Sequence, residues 1–353
     1  MEKSRIKGVD GLRGGAAITI VFYHFWGNRA GIFTHGYLAV DFFFIVSGFF
    51  LMRTCIYKKY KTGFDYVKNL FYNYFPKTTF VLIYLAIFNW IMGNWSINQL
   101  PHLLYEILYM YILGIASQNY VYSLLWYIPI LCFILSMYFN LYIINASILK
   151  NVVMPIIIIS SYSYIFAKYG SMADFRAIAA GDFFIKGIYR GAADIAVGSL
   201  LYIIIPKIEN LMKQLRTSII LIVETITLFA AIKIMFCEIE VASDILIVPC
   251  SCILLILCYS ERGILYRLME NIVMKFLGKH SLFIYLCQGY AINLTVRICR
   301  RILKITDLSV FNIIVSVVLI ICLVLIALLF EYILIPLSIK LTRKIFIKNN
   351  IKG

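Results

Sequence analysis

Charge is scarce in this sequence: 14% of its 353 residues are Asp, Glu, Lys or Arg, whereas 62% are hydrophobic. Soluble globular domains carry about a quarter charged residues, so that class is excluded. A mean hydropathy of +0.89 places the chain in lipid. Acid is scarcer still, with 17 Asp and Glu beside 33 Lys and Arg. The resulting charge of +16 gathers between apolar runs, as it does where basic cytoplasmic loops control topology, and needs no nucleic-acid partner to explain it. The nine cysteines form no CxxC pair and lie mostly inside apolar runs, so small buried hydrophobes are expected in place of a metal or disulfide site. The first apolar run contains Arg13 and His24 and no A-x-A site, which argues against a cleaved signal peptide. Soluble domains, linkers, low-complexity tracts and internal repeats are lacking too.

What is present is a succession of helix-length apolar runs, unlike the ten-residue alternation of an outer-membrane barrel. They predict an all-α, polytopic integral membrane protein with about ten transmembrane helices. The expected crossings are 12–26, 37–55, 78–93, 123–146, 152–168, 190–206, 217–236, 245–259, 280–298 and 312–335. Lys3, Arg5 and Lys7 at one end and Lys340, Arg343, Lys344, Lys348 and Lys352 at the other put both termini in the cytoplasm. An eleventh run, 102–116, is short, contains His102 and Glu106 and has no basic flank. It is expected at the outer surface without crossing. Arg300, Arg301 and Lys304 then fall outside, against the rule. The division is one transmembrane domain over 8–340 and a basic cytoplasmic tail over 341–353.

Two polar residues in the first crossing demand a reason. Arg13 and His24 are eleven residues apart, three helical turns plus about 20°, so they share a face across roughly 16 Å of rise. A histidine at membrane depth has to face protein or water. Asp41, in the outer part of the second crossing, falls at similar depth because the two helices are antiparallel neighbours. A carboxylate that accepts one imidazole N–H raises the basicity of the other nitrogen, as a general base acting on a hydroxyl requires. A helix–helix hydrogen bond without chemistry is the alternative. Gly48, seven residues after Asp41 and near the same face, leaves room for another helix or a ligand.

At these residues the sequence resembles the membrane acyltransferase 3 family. "GVDGLRGGAAITIVFYH" is similar to its first-helix signature, and "GYLAVDFFFIVSGFFL" to its second-helix pattern, with Ala39 replacing a glycine. "LGKHSLFIYLCQ", 277–288, and more loosely "RGAADIAVGSLLY", 190–202, resemble later stretches. The resemblance implies ten core helices and O-acylation, usually O-acetylation, of a cell-surface or extracellular glycan from cytoplasmic acyl-CoA. It matches Arg13 and His24 to the family's essential first-helix pair, Asp41 to its second-helix aspartate, and Ser47 and Gly48 to its S-G pair, these last two supporting together with Asp10. Two departures stand out: Asn69 and Asn73 occupy positions where basic residues are expected before Pro76, and Gln288 stands where a histidine usually ends the motif.

The expected chemistry is acyl transfer inside a bacterial cytoplasmic membrane, with His24 taking the hydroxyl proton and Asp41 steadying the imidazolium. Arg13, Lys58, Lys59 and Lys68, with Lys61, are assigned to the donor, although topology alone accounts for the lysines. His102, Glu106 and Trp126, with Tyr127, are candidates for the acceptor side, and an aromatic belt explains the last two equally. An acyl-enzyme relay through Ser47 or a cysteine is the less favoured route, since that serine lies about 120° around the helix from Asp41. The expected partners are acetyl-CoA or another acyl-CoA as cosubstrate, a glycan or lipid-linked saccharide, and membrane lipid, with no bound cofactor, no metal and no nucleic acid. Two rival readings remain: a transporter using Arg13, His24, Asp41, Asp194 and Glu224 as a pathway, and a silent scaffold for polysaccharide assembly.

Overall fold

A computed structural model describes residues 6–27, 32–91, 96–113, 122–174, 176, 184–236, 241–309 and 312–350. Among these residues the protein is all-helical, with no β-strand. In chain order the helices are α1 (Lys7–Phe22), α2 (Ala39–Ile56), α3 (Gly63–Ile91), α4 (Leu100–Ile107), α5 (Tyr127–Ile148), α6 (Met154–Tyr169) and α7 (Lys186–Gln214). They continue as α8 (Thr217–Phe236), α9 (Ile247–Tyr259), α10 (Gly263–Met269), α11 (Ile272–Lys279), α12 (Ser281–Arg297), α13 (Ile313–Leu329) and α14 (Ile335–Asn350).

Local chemistry sets several of these boundaries. Asn271 and Asn312 cap α11 and α13, each side chain accepting the backbone N–H three residues on. Pro155 sits in the first turn of α6, and Gly170 ends that helix with a left-handed φ of 68°. Glu224, buried on α8, accepts the backbone N–H groups of Ile264 at 3.0 Å and Leu265 at 3.2 Å, capping α10 from another helix.

Seven helical runs among the described residues are long and apolar enough to cross a bilayer, or up to eight when a bent pair is counted. Several differ from the runs expected, among them Lys186–Gln214 and Ile313–Thr342, which run past the expected 206 and 335, and three change the picture. Helix α3 starts at Gly63, well ahead of the expected 78, so Lys68, Pro76 and Lys77 lie on a helix and not in a loop. An apolar-run reading sees only the lipid-compatible half of such a helix. Residues 123–169 form one 47-residue run, about 70 Å if straight and more than twice a bilayer core. It breaks at Asn145 (φ −157°, ψ 96°), whose Oδ1 accepts from Ser147 N and Ile148 N and caps the continuation. The expected crossing at 245–259 is the short α9, which meets α10 at a 79° bend. Helix α1 is not among the seven, since Lys7, Asp10, Arg13 and four glycines dilute its apolar character.

The described chain divides into two compact units. The larger contains Met1–Val67, Ile112–Gly114 and Trp126–Ser281, hence α1, α2 and α5–α11. Its core is the packing of α2 on α7. A side chain on Gly48 would strike the backbone carbonyl of Ile195, and one on Gly198 that of Ile45. Ser199 Oγ donates to the Gly48 carbonyl across the same seam at 3.0 Å. Small residues that admit backbone-to-backbone contact hold helices together in lipid, where no hydrophobic drive distinguishes partner from solvent. The approach allowed by Gly48 is therefore filled by a helix.

The smaller unit contains Lys68–Tyr111, Ile115–Leu125 and Leu282–Gly353. Tyrosine hydroxyls tie it together: Tyr290 donates to the Val81 carbonyl at 2.9 Å, Tyr122 to the Leu286 carbonyl at 3.0 Å, and Tyr84 meets Ser338 Oγ at 2.8 Å.

Candidate functional site

Helix α1 carries the first candidates, and its glycines determine what it touches. A Cβ at Gly11 would run into the Met269 carbonyl, and one at Gly278 into the carbonyl of Asp10. The GVDGLRGG and LGKHS stretches, far apart in sequence, thus meet with their backbones in contact. Asp10 and Arg13 form an i,i+3 pair at 3.9 Å, with side chains 16% and 35% exposed.

The helix ends in a single π turn, Tyr23–Gly27, a distortion frequent at functional sites. Phe25, Trp26 and Gly27 of that turn are buried, whereas His24 is exposed. Its nearest ring neighbour is Tyr23, with centroids 4.8 Å apart. Among the described residues His24 makes no hydrogen bond, so both ring nitrogens are left for something else.

Asp41 does not fill that role. Its carboxylate is gripped at both oxygens by the Arg190 guanidinium, Nε donating to Oδ1 and Nη2 to Oδ2, and the two residues are 0% and 2% exposed. The expected hydrogen bond between His24 and Asp41 is replaced by this ion pair, because a guanidinium buried on α7 satisfies both carboxylate oxygens at once, which an imidazole cannot. The two residues stay linked through rings: Tyr23 packs on Tyr37 at 5.6 Å, and the Arg190 guanidinium lies 5.6 Å from the Tyr37 ring.

The ion pair anchors a wider buried network in the larger unit. Arg190 also donates to the backbone carbonyls of Tyr37 at 3.0 Å and Met172 at 3.3 Å. Asp244 Oδ2 accepts from Tyr37 Oη, Ser171 Oγ and Met172 N, at 2.9, 3.0 and 3.0 Å. Lys186 donates to the carbonyls of Ser171 and Ala173. Asp194, on α7 one turn after Arg190, accepts Tyr162 Oη at 2.5 Å, and its other oxygen is buried without a hydrogen bond. Arg190 is the residue that the sequence reading missed. The signal was available, since an arginine inside an apolar run has to have a buried partner.

The remaining candidates are dispersed. Ser47 Oγ donates to its own helix at Phe43 O, 2.7 Å away, and lies 3.4 Å from Tyr127 Oη. Trp126 is 6% exposed, wedged between Phe44 at 5.9 Å and the Arg190 guanidinium at 5.8 Å, so it is not offered at a surface. Lys58 and Lys59 are exposed on the short link before α3, and Lys68 is exposed on α3 itself, its ammonium 5.9 Å from the Tyr72 ring. In the smaller unit both oxygens of buried Glu106 accept the backbone N–H of Tyr122, at 3.2 and 3.1 Å, while buried His102 Nδ1 has no hydrogen-bond partner. Gln288 is fully buried, its Nε2 donating to Tyr285 O at 3.0 Å. The residues of the transporter reading form no continuous line: Glu224 caps α10 and Asp194 is held by Tyr162.

A family model described as an acyltransferase domain matches residues 6–335, nearly the whole chain. No curated protein and no solved structure matches it.

Proposed function

This chain belongs to the acyltransferase 3 family, and on that premise we propose that it moves an acyl group, most simply acetyl, from cytoplasmic acyl-CoA to a hydroxyl of a cell-surface glycan or lipid-linked saccharide. Family membership makes it an acyltransferase and, with its apolar helices, a multi-pass membrane protein. About ten crossings follow when the 47-residue run counts as two, and α1 and the bent pair as one each, beside the others. We take both termini as cytoplasmic and the membrane as the bacterial cytoplasmic one, from the basic flanks.

The observation that carries this reading is the exposed, unbonded imidazole of His24 at the π turn of α1. In the proposed reaction His24 removes the acceptor hydroxyl proton as the oxygen forms its bond to the thioester carbonyl carbon. The carbon–sulfur bond then breaks, and the departing CoA thiolate takes the proton back from the imidazolium. Asp41 acts at one remove: it fixes Arg190, whose guanidinium braces Tyr37, and Tyr37 packs on Tyr23, which packs on the histidine ring. Arg13, about 16 Å along α1 from His24, belongs to the donor end.

Purified protein given labelled acetyl-CoA and surface glycan provides the test. Label on the glycan, lost with His24→Ala, is the expected result. Label accumulating inside proteoliposomes without covalent transfer would refute the proposal.

A further inference from the structure

The amino-terminal turn of α1 and the whole of α11 enclose an open pocket of about 330 Å3, lined by Lys7, Asp10, Ile272, Lys275, Phe276 and Lys279. Three ammonium groups share it with one carboxylate. Asp10 is engaged by Arg13, and Lys7 reaches Glu270 at 3.2 Å. Lys275 makes no ion pair among the described residues. The walls are held close together, because α1 and α11 approach through Gly14 and Gly278, where an added Cβ would strike the Gly278 N and the Asp10 carbonyl. A fixed concavity with excess positive charge suits an anion with several oxygens. Phe276, 37% exposed, adds an aromatic edge on which a planar base can lie.

We propose that this pocket seats the phosphate-bearing nucleotide end of the acyl-CoA donor, with Lys275, Lys279 and Lys7 on the phosphates and Phe276 against the base. The proposal rests on the acyl-CoA reading above and adds to it a location. It moves the donor's head from the Lys58–Lys59 link to the corner where α1 and α11 meet. From Asp10 the path to His24 follows α1 for fourteen residues, roughly 21 Å, a distance for the flexible pantetheine arm, with Arg13 one turn along it. Lipid headgroups carry phosphate too, and Ile272 and Val273, 81% and 60% exposed, put α11 within reach of lipid. The experiment separates the two sources.

The 353-residue protein in phosphatidylcholine nanodiscs is titrated with CoA and, separately, with pantetheine. Four forms are compared with the parent: K275A/K279A, K275R/K279R, F276A, and K207A/K213A as a basic pair elsewhere. The expected result is CoA affinity at least tenfold weaker in K275A/K279A and restored in K275R/K279R. F276A loses affinity for CoA, K207A/K213A keeps it, and all forms bind pantetheine alike. In turnover, K275A/K279A raises the donor KM by the same factor with little change in kcat. Unchanged CoA affinity in a K275A/K279A protein that elutes as the parent does would overturn the pocket assignment. Unchanged CoA affinity together with lost binding to phosphatidylglycerol would assign the phosphate to lipid and overturn it equally. Failure of the parent protein to bind CoA at all would remove the acyl-CoA reading itself, and the pocket with it.

Discussion

Two polar sites in the larger unit are built on opposite terms. At the end of α1, His24 stands exposed and unbonded while its neighbours Phe25 and Trp26 are buried. At the start of α2, Asp41 is sealed from solvent and both its oxygens are taken by Arg190. A side chain meant to exchange a proton with a substrate has to stay reachable and keep a vacant lone pair. A buried ion pair is the reverse, because any opening of it leaves a charge in a low-dielectric interior. On the proposed reading the first site does chemistry and the second architecture, although each belongs to a motif that resembles the same family.

Mutations at the two sites should separate in kind. His24→Ala should lower acyl transfer by about 10²- to 10⁴-fold, the usual contribution of a positioned acid–base group, with an unaltered thermal midpoint in detergent. A large loss of folding in that variant would erase the contrast. Arg190→Ala should do the opposite first. Stranding the Asp41 carboxylate costs about 3–5 kcal/mol, read as a lower midpoint, and the folded fraction loses less activity than His24→Ala does, since it loses only the brace on Tyr37 and Tyr23. The double variant Asp41→Leu with Arg190→Met should be less destabilised than Arg190→Ala, since it leaves no stranded charge.

A smaller effect tests the seam that holds the ion pair in place. Gly48→Ala puts a methyl group against the Ile195 carbonyl, a backbone atom that cannot swing aside, and should cost about 1–3 kcal/mol. Gly15→Ala, whose added carbon meets only the flexible end of Met274 at 3.4 Å, should be close to neutral by the same thermal measurement.

The smallest effect lies on the exposed rim. Lys7 donates to Glu270 and holds its carboxyl below the usual range. A depressed carboxylate contributes stability above its unfolded pKa, about 4.3, and loses it as pH falls through the folded value. Glu270→Gln should lower the midpoint slightly at pH 7, where the carboxylate contributes, and match the parent once the pH has fallen below the folded value, so the slight acid slope disappears from a thermal series.

Much of the fold was legible in advance. The expected crossing 217–236 coincides with α8, and 37–55 lies one residue inside the run from Gly36 to Ile56. Apolar runs locate such segments because lipid leaves the backbone no other hydrogen-bonding choice. What was misjudged follows from the same physics: α3 extends into a charged stretch that lipid does not require to be apolar, whereas the break at Asn145 falls where the expected crossings 123–146 and 152–168 part. For the site, the sequence singled out His24, Asp41, Arg13 and Gly48 as residues out of place. It paired His24 with Asp41 because they sat at one depth on consecutive helices.

By itself the sequence determined that this is a membrane-embedded helical protein, which residues violate its apolar rule, and which family the chain resembles, because each of those follows from local composition and spacing. Only the tertiary structure decided which polar groups meet. Asp41 finds Arg190, and Asp10 comes up against Gly278, across long intervals of chain. The reason is that helix contacts in lipid are chosen by shape at glycine seams such as Gly48–Gly198, and no periodicity along one helix encodes the surface of another.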